Sequence, residues 1–467
     1  MAIQAKTMIG DGTLVTQVMA VIRDRINARS LLSGDRLPSI RACAKQMSVS
    51  NSTVVEAYDR LVADGVIQSR RGSGFYVSGH TAPLSIAQIG PKLDRAIDPF
   101  WVSRQSLDAR SDMLKPGCGW LPPSWMPETS IRKALRNLSR AQDDVLTDYG
   151  TPLGLVPLRQ VLSRRMAQHG IEAGPDQIIL TESGTHAIDM LCRFLIEPGD
   201  TVLIDDPCYF NFQALLRAHR ANIISVPFTQ NGPDPHAFAK VVAREKPRLY
   251  ITNSGLHNPT GASLSPNVAH RVLKIAEQHD LIVIEDDIFA DFENTPTPRL
   301  AALGGIDRVI HIGSFSKTLS ASIRCGYIAA SPDWIDGLTD LKIATGFSSG
   351  NLVPELIHAV LKDGSYRKHM AGLRDRLAKS MTATANRLQS LGITPEITPD
   401  AGLFLWCSLP DGIDAAQTAR AALAEGIVLA PGNVFSLSQS AGNLMRFNVA
   451  QCENPKVFEV LERAMKA

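Results

Sequence analysis

Apolar residues recur at helical spacing near the start of the chain. In 14-LVTQVMAVIRDRINAR-29, Val15, Val18, Met19, Ile22 and Ile26 share one face, which predicts an amphipathic helix. Gly34 and Pro38 then mark a turn. The stretch 39-SIRACAKQM-47 predicts a short helix with Ser39 as its N-cap. A third helix is predicted over 51-NSTVVEAYDRLVADG-65, ended by Gly65. In 66-VIQSRRGSGFYVSG-79, two short apolar runs flank a polar, glycine-containing turn, which predicts a β-hairpin. Three helices and a hairpin make a winged helix-turn-helix over residues 12–79.

The pattern then changes. Residues 80–115 hold Pro83, Pro91 and Pro99 and little periodicity, so they are expected to be a linker. From residue 116 apolar runs alternate with helical stretches. Strands are predicted at 177–182, 201–206, 223–228, 248–253, 281–286, 309–313 and 326–330. Several lack polar alternation, as expected of strands covered on both faces. This predicts an α/β body with a mostly parallel sheet over about 116–334. Long helical sequence follows, then 402-GLFLW-406 and 445-MRFNVA-450, which predict a smaller α+β part over about 335–467.

Composition changes this picture little. The chain has 467 residues, too many for one core, with 44% hydrophobic and 20% charged residues and a net charge of +2. Residues 1–80 carry ten basic and six acidic side chains, so the head is at +4 and the remainder at −2. The seven cysteines are scattered with no CxxC pair, which argues against a disulfide framework or a zinc site and for a reducing cytoplasm. No basic start followed by an apolar core suggests a signal peptide. No uncharged apolar run approaches the ~20 residues that span a bilayer, so no membrane partner is expected.

The candidate chemistry lies beyond the carboxyl ends of the strands, where open α/β sheets bind ligands. After the first strand, 183-SGTHAI-188 opens a helix. Its N–H groups and the hydroxyls of Ser183 and Thr185 suit a phosphate. After the second comes 205-DDPCYF-210, where Tyr209 either lies against a flat ring or packs in the core. After the fourth, 257-HNPTG-261 offers the neutral Asn258, and the fifth ends in the carboxylates of 285-EDDIF-289. After the sixth, in 312-IGSFSKTLSASIRCG-326, Lys317 stands among Ser314, Ser316 and Thr318 and is followed by Arg324.

Phosphate cup, ring platform, acid and lysine are the needs of pyridoxal 5′-phosphate. Its aldehyde forms a Schiff base with a lysine, and a carboxylate keeps its pyridine nitrogen protonated so that the ring accepts electrons. Lys317 is the expected Schiff-base lysine, Asp286 the pyridinium partner, and Asn258 the donor to the phenolic oxygen. Ser314 and Arg324 are expected to join Ser183, Gly184 and Thr185 at the phosphate, Arg324 through a charge-assisted bond. Glu285 and Asp287 are expected to be structural, because one carboxylate suffices. His186 and His257 receive no catalytic role, because the lysine is the acid–base group. Trp120 and Trp125 either line the pocket or pack in the core.

SGTHA, DDPCY, HNPTG, EDD and SFSKT with its later arginine occur in an order and spacing that resembles a fold-type I, class I aminotransferase across residues 116–465. The resemblance implies an α/β pyridoxal-phosphate-dependent transferase fold. It implies that Tyr149, in 149-YGTPLG-154, reaches the phosphate of a neighbouring subunit, so that the body is a homodimer. Arg446 matches the arginine that grips a substrate carboxylate, although a surface charge on a strand would read the same. Gly402 matches the glycine that lets the backbone approach the substrate. One departure stands out: where the family places a tyrosine that bonds the phenolic oxygen, this chain has Ile288 and Phe289.

The segments 37-LPSIR-41, 49-VSNSTVVEAY-58, 61-LVADGVI-67 and 70-RRGSGFYV-77 resemble a GntR-type winged helix. A GntR-type head on an aminotransferase-like body is the arrangement of the MocR family of bacterial regulators. The resemblance implies double-stranded DNA with two half-sites as a partner. Recognition-helix residues face base edges and the wing reaches phosphates, so Arg41, Asn51, Ser52, Thr53, Arg70 and Arg71 are the expected contacts. Asn51 replaces the family's arginine and retains the capacity to read an adenine edge. Two functions follow. One is a transcriptional regulator that senses pyridoxal phosphate, an amino compound, or both. The other is an active aminotransferase, exchanging amino acid and 2-oxo acid, that carries a DNA-binding head. The regulator is preferred, because a recognition helix and wing serve no purpose in a metabolic transaminase.

Overall fold

The computed structural model describes residues 13–27, 30–31, 34–70, 73–78, 99–108, 112–141 and 143–466. Arg71 and residues 80–98 of the expected linker lie outside them. The chain divides into two compact units, Met1–Ser85 and Ile86–Ala467.

In the first unit, α1 (Leu14–Asn27), α2 (Ile40–Met47) and α3 (Asn51–Ala63) precede β1 (Ile67–Arg70) and β2 (Gly74–Val77), which pair antiparallel. Ser39 caps α2 by accepting from the Ala42 N–H at 3.2 Å, and Ser50 caps α3 by accepting from Thr53 at 3.1 Å. Ser48, at φ 54°, makes the left-handed turn between the two helices. The apolar stripes of the helices meet in one core that includes Val18, Ile22, Val54, Tyr58 and Leu61. Tyr58 ties the parts together: its ring meets Phe75 of the hairpin edge-on, and its hydroxyl donates to the Pro38 carbonyl at 2.9 Å.

In the second unit, α4 (Pro99–Asp108) falls within the stretch expected to be a linker. Its Val102 is buried with Phe210, Trp406 and Phe435. The main sheet follows: β3 (Ile178–Thr181), β4 (Thr201–Asp206), β5 (Asn222–Thr229), β6 (Gly232–Pro233), β7 (Leu249–Thr252), β8 (Ile282–Asp286), β9 (Val309–Ser314) and β10 (Gly326–Ala329). Their spatial order is β3-β10-β9-β8-β7-β4-β5-β6. Strands β9, β8, β7, β4 and β5 run parallel, whereas β10 runs against both β3 and β9. The chain returns from β9 to β10 without a crossover helix, and a short return of that kind can only make an antiparallel pair. Along β4, Leu203 enters one apolar core and Ile204 the other, and Val283 and Ile284 on β8 do the same. Both faces are therefore covered, which is why these strands read as unbroken apolar runs.

The smaller sheet contains β11 (Thr394–Pro395), β12 (Phe404–Ser408), β13 (Ala430–Pro431) and β14 (Leu444–Asn448), all antiparallel in the order β11-β12-β14-β13. Register places Trp406 opposite Arg446. Among the described residues no helix is long and apolar enough to cross a membrane.

Head and body have separate apolar cores. Leu61→Ala, at a fully buried head position, is expected to cost about 2–5 kcal/mol. Calorimetry should show the head transition lowered and the body transition unmoved.

Candidate active site

Sheet register gathers the predicted motifs at one edge. Gly326 at the start of β10 pairs with Thr181 on one side and Ser314 on the other, and Asp286 pairs with Ile312. The turn after β3 lies directly on β10: a Cβ on Gly326 would sit 2.6 Å from the Ser183 carbonyl carbon, so only glycine fits. Ser183 caps the helix Gly184–Leu195 by accepting from the His186 N–H at 3.0 Å. A Cβ on Gly184 would lie 3.2 Å from Ile288 and 3.7 Å from Ser314, so these three residues wall one side of a helix N-terminus. Ser314 Oγ donates to the Cys325 carbonyl at 3.1 Å and accepts from Ser316 N at 3.2 Å. Arg324 donates to Ser316 Oγ at 3.3 Å. Thr185 and Arg324 are exposed at the rim. The result is an open N–H and hydroxyl cup with a guanidinium beside it.

Lys317 and Arg446 converge on Gly119, at the start of the 119-GWLPPSW-125 loop whose tryptophans were candidates for lining the pocket. A Cβ on Gly119 would lie 3.8 Å from Lys317 Nζ and 3.9 Å from Arg446 Nη2. Arg446 is 1% exposed, so it is no surface charge. It donates to Asn258 Oδ1 at 2.7 Å and to the Gly117 carbonyl at 2.6 Å, while its Nε has no partner. Its guanidinium lies between two rings, 4.3 Å from the centre of Phe404 and 4.6 Å from that of Phe435. Burial lowers its pKa to about 10. The Asn258 amide is oriented by this bond, since its oxygen must face Arg446 and its nitrogen must face away.

Burial lowers the Lys317 pKa to about 8; Cys118 and Asp286 oppose the shift, and Arg446 and Arg324 add to it. Burial raises the Asp286 carboxyl to about 7, against the bond from the Ile288 N–H at 3.3 Å and the charge of Lys317, and with the help of Asp287. The neighbouring acids have other work. Glu285 accepts from the N–H groups of Leu300 and Ala301 at 2.7 and 2.9 Å, and Asp287 pairs with Arg299 at 2.7 Å. His257 stacks on Phe228 at 3.6 Å and bonds Thr260, while His186 accepts from the Glu182 N–H. Trp125 is buried in the core under the Arg376 guanidinium.

The remaining expected residues are more dispersed. Tyr209 is half-buried against Phe210 and Phe212, within reach of the charges of Arg446, Asp286 and Arg324. Gly402 has φ +93°, a conformation that favours glycine, and lies 3.4 Å from the Leu256 side chain by its ideal Cβ. Tyr149 is 76% exposed and stacked on Phe347, on the surface of its own chain. Ile288 faces Gly184, and Phe289 turns into the core against Phe404, so no hydroxyl replaces the family's tyrosine at these two positions. In the head, Arg41, Asn51 and Ser52 are exposed. The Ser52 and Thr53 hydroxyls lie 2.7 and 2.8 Å from that of Ser50, at the start of α3. Arg70 lies over the Tyr76 ring at 4.4 Å on the wing. Phe404 and Phe435 were given no role, and Gly119 was quoted only as the start of 119-GWLPPSW-125.

The family profile described as aminotransferase class I and II matches residues 122–463. The chain belongs to this aminotransferase family. A second profile, bacterial regulatory proteins of the gntR family, matches residues 14–77. Together the two matches give the MocR organisation. This aminotransferase-family chain is 28% identical over 420 residues to the HTH-type transcriptional regulator NorG of Staphylococcus aureus, covering 87% of this chain and 94% of that one. It is also 28% identical over 443 residues to the uncharacterized HTH-type transcriptional regulator YdcR of Escherichia coli, covering 93% and 94%. Among solved structures, LysN, the alpha-aminoadipate aminotransferase of Thermus thermophilus complexed with N-(5′-phosphopyridoxyl)-L-leucine, superposes with a TM-score of 0.71 at 26% identity, covering 78% and 94%. The kynurenine aminotransferase of Pyrococcus horikoshii, in complex with PMP, gives 0.71 at 25% identity, covering 78% and 92%. Family membership implies dependence on pyridoxal phosphate.

The residues present fit that group. The buried Asp286 carboxyl, bonded by the Ile288 N–H at 3.3 Å and helped by the Asn253 amide, is nevertheless raised to about 7, which is the state a protonated ring nitrogen would relieve. Without the cofactor, Asp286 keeps its proton to about pH 7 when folded but only to about pH 4 when unfolded. The folded state therefore binds more protons in that window, and stability falls as pH rises through it. Asp286→Asn removes the loss. In cofactor-free protein it is expected to raise the unfolding temperature clearly at pH 8 and much less at pH 5, as measured by thermal denaturation.

Proposed function

We propose that this protein is a pyridoxal-phosphate-dependent, DNA-binding transcriptional regulator of the MocR type that senses an α-amino carboxylate. The observation that carries the reading is the convergence of Lys317 and Arg446 on Gly119, in a chain whose residues 14–77 match the gntR family. A winged-helix head over 12–79, a linker, and an aminotransferase-like body over 116–467 are the working division. As a regulator of genes it would act in the cytoplasm.

Lys317 is the covalent anchor. With a pKa of about 8, about a tenth of it is neutral and nucleophilic at pH 7. Bound there, the cofactor supplies an electron-accepting ring and an aldehyde that can exchange its lysine for an incoming amine. Asp286 would pair with the ring nitrogen, and Asn258, whose oxygen accepts from Arg446, would have its amide nitrogen free for the phenolic oxygen. Ser183, Gly184, Thr185, Ser314 and Arg324 hold the phosphate, and Tyr209 packs near the ring. Arg446 takes the carboxylate of the amino compound, with Gly402 giving backbone access. Ile288 offers no donor in place of the family's tyrosine, so the phenolic oxygen has one protein bond fewer.

The exposed, stacked Tyr149 and Phe347 suit burial against a second copy, in which Tyr149 would reach the neighbour's phosphate. A homodimer presents two heads to two half-sites of an operator. Arg41, Asn51, Ser52 and Thr53 would face base edges and adjoining phosphates, with Arg70 and Arg71 on the wing. The amino compound can alter DNA binding only by favouring one arrangement of the protein over another. A second reading, an aminotransferase with turnover, is favoured by the depressed Lys317 amine beside Asp286.

Two tests follow. Lys317→Ala protein mixed with pyridoxal phosphate should lack the visible absorbance band of the parent; a band equal to the parent's would sink the cofactor assignment. Arg70→Ala should flatten the dependence of log K on log salt by about 0.9 in operator binding. An unchanged slope would remove Arg70 from the DNA contacts.

A further inference from the structure

We propose that α4 is the element that registers the carboxylate of a bound amino compound, through contact of Val102 with the Phe435 cluster behind Arg446. This rests on the assignment of Arg446 as the carboxylate site. Phe435 is fully buried. Its ring lies 4.6 Å from the Arg446 guanidinium, 5.5 Å from Phe210 and 5.6 Å from Trp406. Val102, 2% exposed, belongs to the same cluster. One aromatic ring thus has the cation on one side and the cluster that seats α4 around it.

Two features make this contact responsive. Arg446 bonds only neutral oxygens and has a buried, unpartnered Nε, so a carboxylate gives it a charge-assisted pair that it lacks. A guanidinium that shifts to meet that anion changes its seat on Phe435, because the cation–ring attraction depends on their separation. The second feature is α4 itself. It has ten residues, and helices that short are marginal without packing. Its described buried residues are Val102 and Ser106, one helical turn apart, and the Ser106 hydroxyl is buried without a partner, while Leu107 is 74% exposed. Among the described side chains of α4, Val102 is the one that joins the Phe210–Phe435 cluster, so the seat of that residue bears on the order of the helix. In chain order α4 is the first described element after the head.

Hydrogen exchange of the 99–108 amides in the full-length, cofactor-loaded protein tests this. The probes are 2-methylalanine, which has an amine and a carboxylate but no α-hydrogen to lose, and tert-butylamine, which has a methyl in place of the carboxylate. The visible band reports occupancy for each. At saturation 2-methylalanine should change α4 exchange by about fivefold or more, the lower end of ordinary coupling, and tert-butylamine by less than about twofold. Val102→Ala should keep the band shift and lose the α4 response. If Val102→Ala frays α4 outright, Arg446→Met decides: α4 should exchange as in the parent, with the two probes now equivalent. Equal α4 exchange with both probes in the parent, while the band shows both bound, overturns the proposal and leaves the cofactor reading intact. Absence of any band overturns both.

Discussion

Arg446 is a full cation taken out of water, and among the described residues no carboxylate pairs with it. Burying an unpaired charge is expensive, and the body is arranged around that cost. Two carbonyl oxygens accept from the guanidinium, and two aromatic faces cover it. Each aromatic is itself fixed elsewhere: Phe404 against Phe289, and Phe435 against Phe210 and Trp406. The arrangement holds the charge without neutralising it, leaving its pKa lowered rather than raised. Asp286 is the mirror case, an acid whose burial outweighs the Ile288 N–H and the Asn253 amide that favour its charge. Burial therefore works against the charged form of both groups.

The sheet makes this possible by aligning strand ends that come from distant parts of the chain. Gly326 lets the turn before the helix Gly184–Leu195 rest on β10, which brings the cup beside Ser314. The three consecutive acids at the end of β8 are separated by strand geometry and by partners. Glu285 caps a short helix and Asp287 is held by Arg299, whereas Asp286 has neither kind of partner. Alternation along the strand, together with the position of Arg299, decides which carboxylate stays available.

Much of this was legible in the sequence. Helix stripes, caps and the hairpin of the head occur within short windows, so local pattern sufficed to predict them. The same holds for the strands of the body, whose unbroken apolar runs reflect cover on both faces, and for the placing of Lys317, Asp286 and Asn258 at or beyond strand ends. The antiparallel direction of β10 was less legible, because an apolar run reads the same whichever way its strand points in the sheet. The segment assigned as linker also concealed α4, because its prolines and weak periodicity gave no helical signal.

What the chain's sequence determined by itself is the order of elements and the identity of the groups that end them, because those follow from nearest-neighbour periodicity. What only the tertiary structure decided is which groups share a dielectric. Gly119, Phe404, Phe435 and Arg446 are scattered along the chain, yet their meeting sets the charge state and orientation of the site. The pKa of Lys317, the oriented amide of Asn258 and the seat of Val102 all depend on that meeting. Desolvation and ring contacts act through space over a few ångströms, and no spacing along the chain encodes them.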